Sequence, residues 1–100
     1  MAIYLITYLD NNRDKVNAEI EAKIDSRDRF LLQGNAGCLI CFGGTTKELF
    51  DLICKKENTN PPQYIGCVIV TPANSYYGYG SSEMWDWLKT RSESTYVPKK

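Results

Sequence analysis

Ala2-Ile3-Tyr4-Leu5-Ile6-Thr7-Tyr8 is the stretch whose reading decides the fold. It is rich in β-branched and aromatic residues and contains no Gly or Pro, so it reads as a strand. Alternation divides it into Ile3, Leu5 and Thr7 on one side and Tyr4, Ile6 and Tyr8 on the other. Both sets are largely apolar, which is the pattern of a strand covered on both faces and therefore central in its sheet. The stretch starts at the second residue, with no basic and apolar leader before it, so secretion is not indicated.

Working outward, Asn11-Asn12 supplies turn chemistry, with either residue as an N-cap. A helix follows over about Arg13 to Ile24, with Val16, Ile20 and Ile24 as its buried stripe and Ala18 and Ala22 beside them. Arg29 to Gln33 is a second strand, Gly34 to Gly37 a hairpin loop, and Cys38 to Phe42 a third strand, apolar on both sides. Thr45-Thr46-Lys47-Glu48 matches a capping box that opens a second helix running to about Lys56, with Leu49, Phe50, Ile53 and Cys54 inward. Gln63 to Thr71 is a fourth strand stopped by Pro72, and Glu83 to about Arg91 is a short C-terminal helix carrying Met84, Trp85, Trp87 and Leu88.

This order predicts an α+β, ferredoxin-like βαββαβ domain with a four-stranded antiparallel sheet and two helices on one face. Right-handed crossovers place the first and third strands centrally. Residues 1–91 form the single domain, with 72–91 as its C-terminal extension and 92–100 as a frayed tail. The open face is expected to carry Tyr4, Ile6, Tyr8, Val68 and Val70, a patch larger than monomers usually expose. Its expected cover is a second copy, with Trp85 also at that interface, or else the C-terminal segment.

With that order in hand, the chain resembles the SinR-like branch of the small CRISPR-associated proteins that accompany the spacer integrase, a Cas-two-like group also related to VapD-type toxins. The resemblance rests on residues 2–8 followed by Asp10-Asn11-Asn12, on the element order, and on Gly80-Ser81-Ser82-Glu83-Met84-Trp85-Asp86-Trp87-Leu88. It implies a ferredoxin-like homodimer associated with nucleic acid. It also implies, for the nuclease relatives, a catalytic aspartate from each subunit holding Mg²⁺ or Mn²⁺. Asp10 is the matching residue, as catalytic group and metal ligand, but Leu9 intervenes between it and Tyr8. A one-residue shift turns a strand residue to the opposite face.

Composition narrows the chemistry. Twelve Lys and Arg balance twelve Asp and Glu, so a strongly cationic nucleic-acid binder is not indicated. With no histidine, His-based triads and His zinc sites are excluded. Cys38 and Cys41 have CxxC spacing, but on a strand they point to opposite faces; all four cysteines read as reduced and buried, which suits the cytoplasm. Gly44, Thr45 and Thr46, at a helix start, are candidate phosphate contacts. Tyr77 and Tyr79, between glycines, are candidate base-stacking residues. No apolar run approaches the roughly 20 residues that cross a bilayer. Three functions follow: a dimeric nucleic-acid-associated protein without robust catalysis, a metal-dependent ribonuclease or phosphodiesterase using Asp10, or a protein-interaction or inhibitor module of a phage or mobile element.

Overall fold

The computed structural model describes residues 2–32, 36–73 and 82–92, with side chains to residue 90. The elements are β1 (Ala2–Tyr8), α1 (Arg13–Lys23), a 3-10 turn (Ser26–Asp28), β2 (Arg29–Leu31), β3 (Gly37–Phe42), α2 (Thr46–Cys54), β4 (Val68–Pro72) and α3 (Ser82–Ser92). All sheet pairings are antiparallel and the order is β2-β3-β1-β4. The chain is thus a small α+β fold with β1 and β3 central, as their two-sided apolar pattern requires. Among the described residues no helix is long and apolar enough to cross a membrane.

The first core lies between the sheet and helices α1 and α2. It contains Tyr4, Ile6, Cys38 and Ile40 from the strands, Val16, Ile20 and Ile24 from α1 and its cap, and Leu49, Ile53 and Cys54 from α2. Tyr8, Val68 and Val70 pack against it. The expected dimer face, Tyr4, Ile6, Tyr8, Val68 and Val70, is therefore the helix-covered face. The strand pattern is apolar on both sides and does not itself say which side meets the helices. The phenol ends of this set find partners at the layer's rim: Tyr4 donates to the Gly44 carbonyl at 2.6 Å, and Tyr8 donates to Asn17 Oδ1.

The second core is on the other face, where Ile3, Leu39 and Leu88 are buried and Leu5, Phe30, Met84, Trp85 and Trp87 pack around them. The C-terminal helix is thus the cover over this part of the sheet. Trp85, expected at a subunit interface, is half-buried within the chain's own cluster. Trp87 Nε1 donates to the Arg27 carbonyl at 3.0 Å, and its ring lies 6.2 Å from that of Phe30. One indole N–H therefore anchors α3 to the 3-10 turn.

Several boundaries differ from the sequence expectation for local reasons. In α1 the buried row is Val16 and Ile20, continued by Ile24, while Ala18 and Ala22 are exposed. At roughly 100° per residue those alanines fall nearly opposite the row. Gln33 and the Gly34-Asn35 part of the hairpin lie outside the described residues. Gly37 is the first residue of β3, and a Cβ there would stand 2.5 Å from the Ile6 carbonyl oxygen, so crowding demands the glycine. The capping box of α2 is present: Thr45 Oγ1 accepts from Glu48 N at 3.1 Å, and Glu48 Oε1 accepts from Thr45 N at 2.8 Å. α2 ends at Cys54 because the chain turns extended there, with Ile65 N donating to Cys54 O and Lys56 N to Gln63 O, both at 2.8 Å. Residues 63–65 are held by those bonds, and β4 starts only at Val68. Ile6 is fully buried, whereas Ile69 is 49% exposed on the opposite face. Ile6→Ala should cost about 2–5 kcal/mol in urea-denaturation stability, and Ile69→Ala less than about 1 kcal/mol.

Candidate functional site

The chemistry-bearing residues of the chain meet where β1 hands over to α1 and the chain approaches β4. Asp10 sits two residues beyond the end of β1. Its Oδ1 accepts from Asn12 N at 2.9 Å, the i to i+2 bond of an Asx turn. Its Oδ2 accepts from Cys67 N at 3.1 Å and, at a long 3.5 Å, from Asn12 Nδ2. Leu9 N donates to Cys67 O at 2.8 Å, which continues the β1–β4 ladder past the strand ends. Gly66 lets these two segments close: a Cβ would lie 3.0 Å from Asn12 Cβ and 3.2 Å from Val16 Cγ2. Asn12 caps α1 by position without a side-chain cap bond. Asp10 is the residue that fixes that turn.

These bonds set the local acidities. The Asn12 main-chain bond holds the Asp10 carboxyl below the usual carboxylate value; desolvation, next in size, opposes it, and the bonds from Cys67 add to the lowering. The Cys67 thiol is pushed up, first by its hydrogen bond to Asp10 and then by that charge. Burial, with the Asp10 charge behind it, pushes Cys54 up to about 11. Cys67 is exposed, contrary to the expectation that every cysteine is buried; the other three are buried, and all four are thiols. A thiol raised by a neighbouring carboxylate is a poor nucleophile.

Each Asp10 oxygen accepts a main-chain N–H, from Asn12 on one side and Cys67 on the other. Among the described residues no group of three or more His, Cys, Asp or Glu is placed to hold a metal.

At the start of α2, the N-terminal donors face a resident anion. The bond from Thr45 N holds the Glu48 carboxyl below the usual carboxylate pKa, and its charge sits where a phosphate at Gly44, Thr45 and Thr46 would sit. Among the basic side chains on and just after α1, Lys23 pairs with Glu19 at 2.8 Å, Arg27 with Asp25 at 3.5 Å, and Arg29 with Glu21 at 4.0 Å. Tyr77 and Tyr79 lie outside the described residues.

Sequence reasoning missed a cleft of about 80 Å³ between α1 and the β2–β3 end of the sheet, reached by Asn17, Glu21, Ser26, Arg29 and Cys38. Its groups are engaged or inert. Arg29 Nε donates to Ile24 O at 3.0 Å, and burial pushes the Cys38 thiol up to about 11. Burial also pushes Tyr8, beside Asn17, up to about 12. Neither that thiol nor that phenol is poised to move a proton near neutrality. The Asx turn at Asp10-Asn11-Asn12 was legible as turn chemistry, but its link to Cys67 joins residues far apart in sequence.

No family model matches the chain, and neither a curated protein nor a solved structure with significant similarity to it was found.

Because its pKa is depressed in the fold, Asp10 contributes stability that is present above its unfolded value, near 3.8, and is lost as pH falls through the folded value. Asp10→Asn should therefore melt lower than wild type at pH 7. The gap should narrow as pH is lowered below about 3.8, as read by thermal denaturation followed by circular dichroism.

Proposed function

We propose that this chain is a ferredoxin-like, non-enzymatic protein-association module, working in the cytoplasm as an accessory protein of the Cas-two-like kind it resembles. The order of its elements and the central position of β1 and β3 support the ferredoxin-like reading. The observation that carries the non-enzymatic reading is the engagement of Asp10: its carboxylate locks a loop through Asn12 and Cys67. The carboxylate is positioned by the turn it closes, and among the described residues no group of three or more His, Cys, Asp or Glu gathers with it to hold a metal.

Protein contact is favoured over nucleic-acid contact by two features. Lys23, Arg27 and Arg29 are each paired with a carboxylate, which weakens any phosphate-binding face. Beyond the reach of α3, Leu9 is 55% and Ile69 49% exposed, and Ile69 lies on β4, the strand that ends the sheet. An uncharged edge strand with an exposed apolar side chain suits association.

The test is incubation of labelled RNA and DNA with Mg²⁺ or Mn²⁺, comparing wild type with Asp10→Ala. Neither protein should cleave, and Asp10→Ala should melt at a lower temperature because the loop loses its lock. Cleavage by wild type that Asp10→Ala abolishes, with melting unchanged, would replace this reading with that of a metal-dependent nuclease.

A further inference from the structure

The two edges of the sheet are not alike. β2 is three residues long and begins with Arg29, a short and charged edge of the kind that resists pairing. β4, Val68-Ile69-Val70-Thr71-Pro72, carries no charge, and among the described residues no strand pairs with its outer side. The printed register settles which of its main-chain groups point outward. Leu9 N bonds Cys67 O and Ala73 N bonds Ile3 O, so the odd-numbered residues of this strand face β1. The N–H and C=O groups of Val68 and Val70 therefore face away from the sheet. Pro72 falls on the outward set, where its missing N–H costs no bond to β1.

We propose that β4 pairs with β4 of a second copy, antiparallel about a two-fold axis at Ile69, to form one continuous eight-stranded sheet. The inference rests on the association reading above and names its partner. An antiparallel edge is self-complementary, so the same surface serves both copies. The zero formal net charge removes the repulsion that would oppose two copies meeting. The register follows from the outward groups: Val68 of each copy exchanges both main-chain bonds with Val70 of the other. A pairing centred one residue further along would face Val68 with Pro72 and lose a donor. In the chosen register Ile69 meets Ile69 of the second copy in a non-hydrogen-bonded pair, with Cα atoms about 4.5 Å apart. The exposed Ile69 side chains of the two copies meet on the second face. Val68 and Val70 keep their side chains on the helix-covered face, so the pairing asks for no change in the first core. The contact is small, and the dimer is concentration-dependent.

Sedimentation of the full chain should show a mass rising from 11.4 kDa toward twice that value with concentration. Ile69→Lys, which places like charges at the axis and leaves the bonds to β1 intact, should abolish the rise while leaving the circular dichroism spectrum unchanged. In a Cys67→Ser background, Ile69→Cys should form an intermolecular disulfide under mild copper-catalysed oxidation, since the spacing suits one. Thr71→Cys, equally exposed, is the control: its two copies stand roughly 13 Å apart along the strands and should not cross-link. A chain that stays monomeric at every concentration, or equal cross-linking of both variants, would overturn the second copy as partner. The association reading would then stand for a different protein, since it falls only with Asp10-dependent cleavage.

Discussion

A strand that is apolar on both faces must be covered twice, and the rest of this structure answers to that requirement. β1 contributes Tyr4 and Ile6 to one core and Ile3 to the other, each nearly or fully removed from water. Burial of this kind is worth roughly 1.5–3 kcal/mol per large side chain, so neither face can be left open without cost. Helices α1 and α2 are enough for one side. The other needs a third helix, and α3 provides it with Leu88 and two indoles on a short scaffold. The C-terminal segment is thus part of the fold's core, held at its far side by Trp87 and Arg27.

Seen from this constraint, Asp10 has a mechanical task. The β1–α1 turn has to deliver α1 onto the first face while keeping the chain close to the start of β4. A single carboxylate does this by accepting from Asn12 on one side and Cys67 on the other. The glycine at 66 leaves room for the approach. The intervening Leu9 has its own part in the arrangement: its N–H extends the ladder to Cys67, and its side chain falls on the uncovered face. The displacement of Asp10 from Tyr8 by one residue is what makes the carboxylate a loop lock. Glu48 shows the same economy at α2, where an acid closes its own helix terminus.

Much of this was legible in the sequence wherever a local rule sufficed. The capping box of α2, its stripe of Leu49, Ile53 and Cys54, and the central place of β1 and β3 follow from spacing within a few residues. What was not legible depended on a choice between symmetric options or on long-range contact. Parity separates Tyr4 and Ile6 from Ile3 and Leu5 but is silent on which set meets the helices, and the set expected on the open face is the one the helices cover. The sequence pattern makes β4 several residues too long because Gln63 to Gly66 resembles a strand, whereas Gln63 and Ile65 bond to the chain leaving α2. The role of Asp10 turns on Cys67, a partner fifty-seven residues away, which no local pattern announces.

The incomplete reach of α3 explains why the fold has one sensitive border. The helix buries Ile3 and Leu39 and packs on Phe30, so its cover lies over the β2–β3 side and one end of β1. Protection therefore thins toward β4, where Ile69 and Leu9 are about half exposed. At that border the sheet also stops, on a strand with neither Lys nor Asp to discourage pairing and with a proline only at its last position. An open edge and the exposed Ile69 at the same place reinforce each other. A strand docked on the edge would supply main-chain bonds and bring side chains beside Ile69 at once. The opposite border is only three residues long, begins with the charged Arg29 and sets Phe30 under Trp87, although Leu31 at its end is 50% exposed. The asymmetry in how β1 is covered thus becomes an asymmetry in what the molecule presents to other proteins.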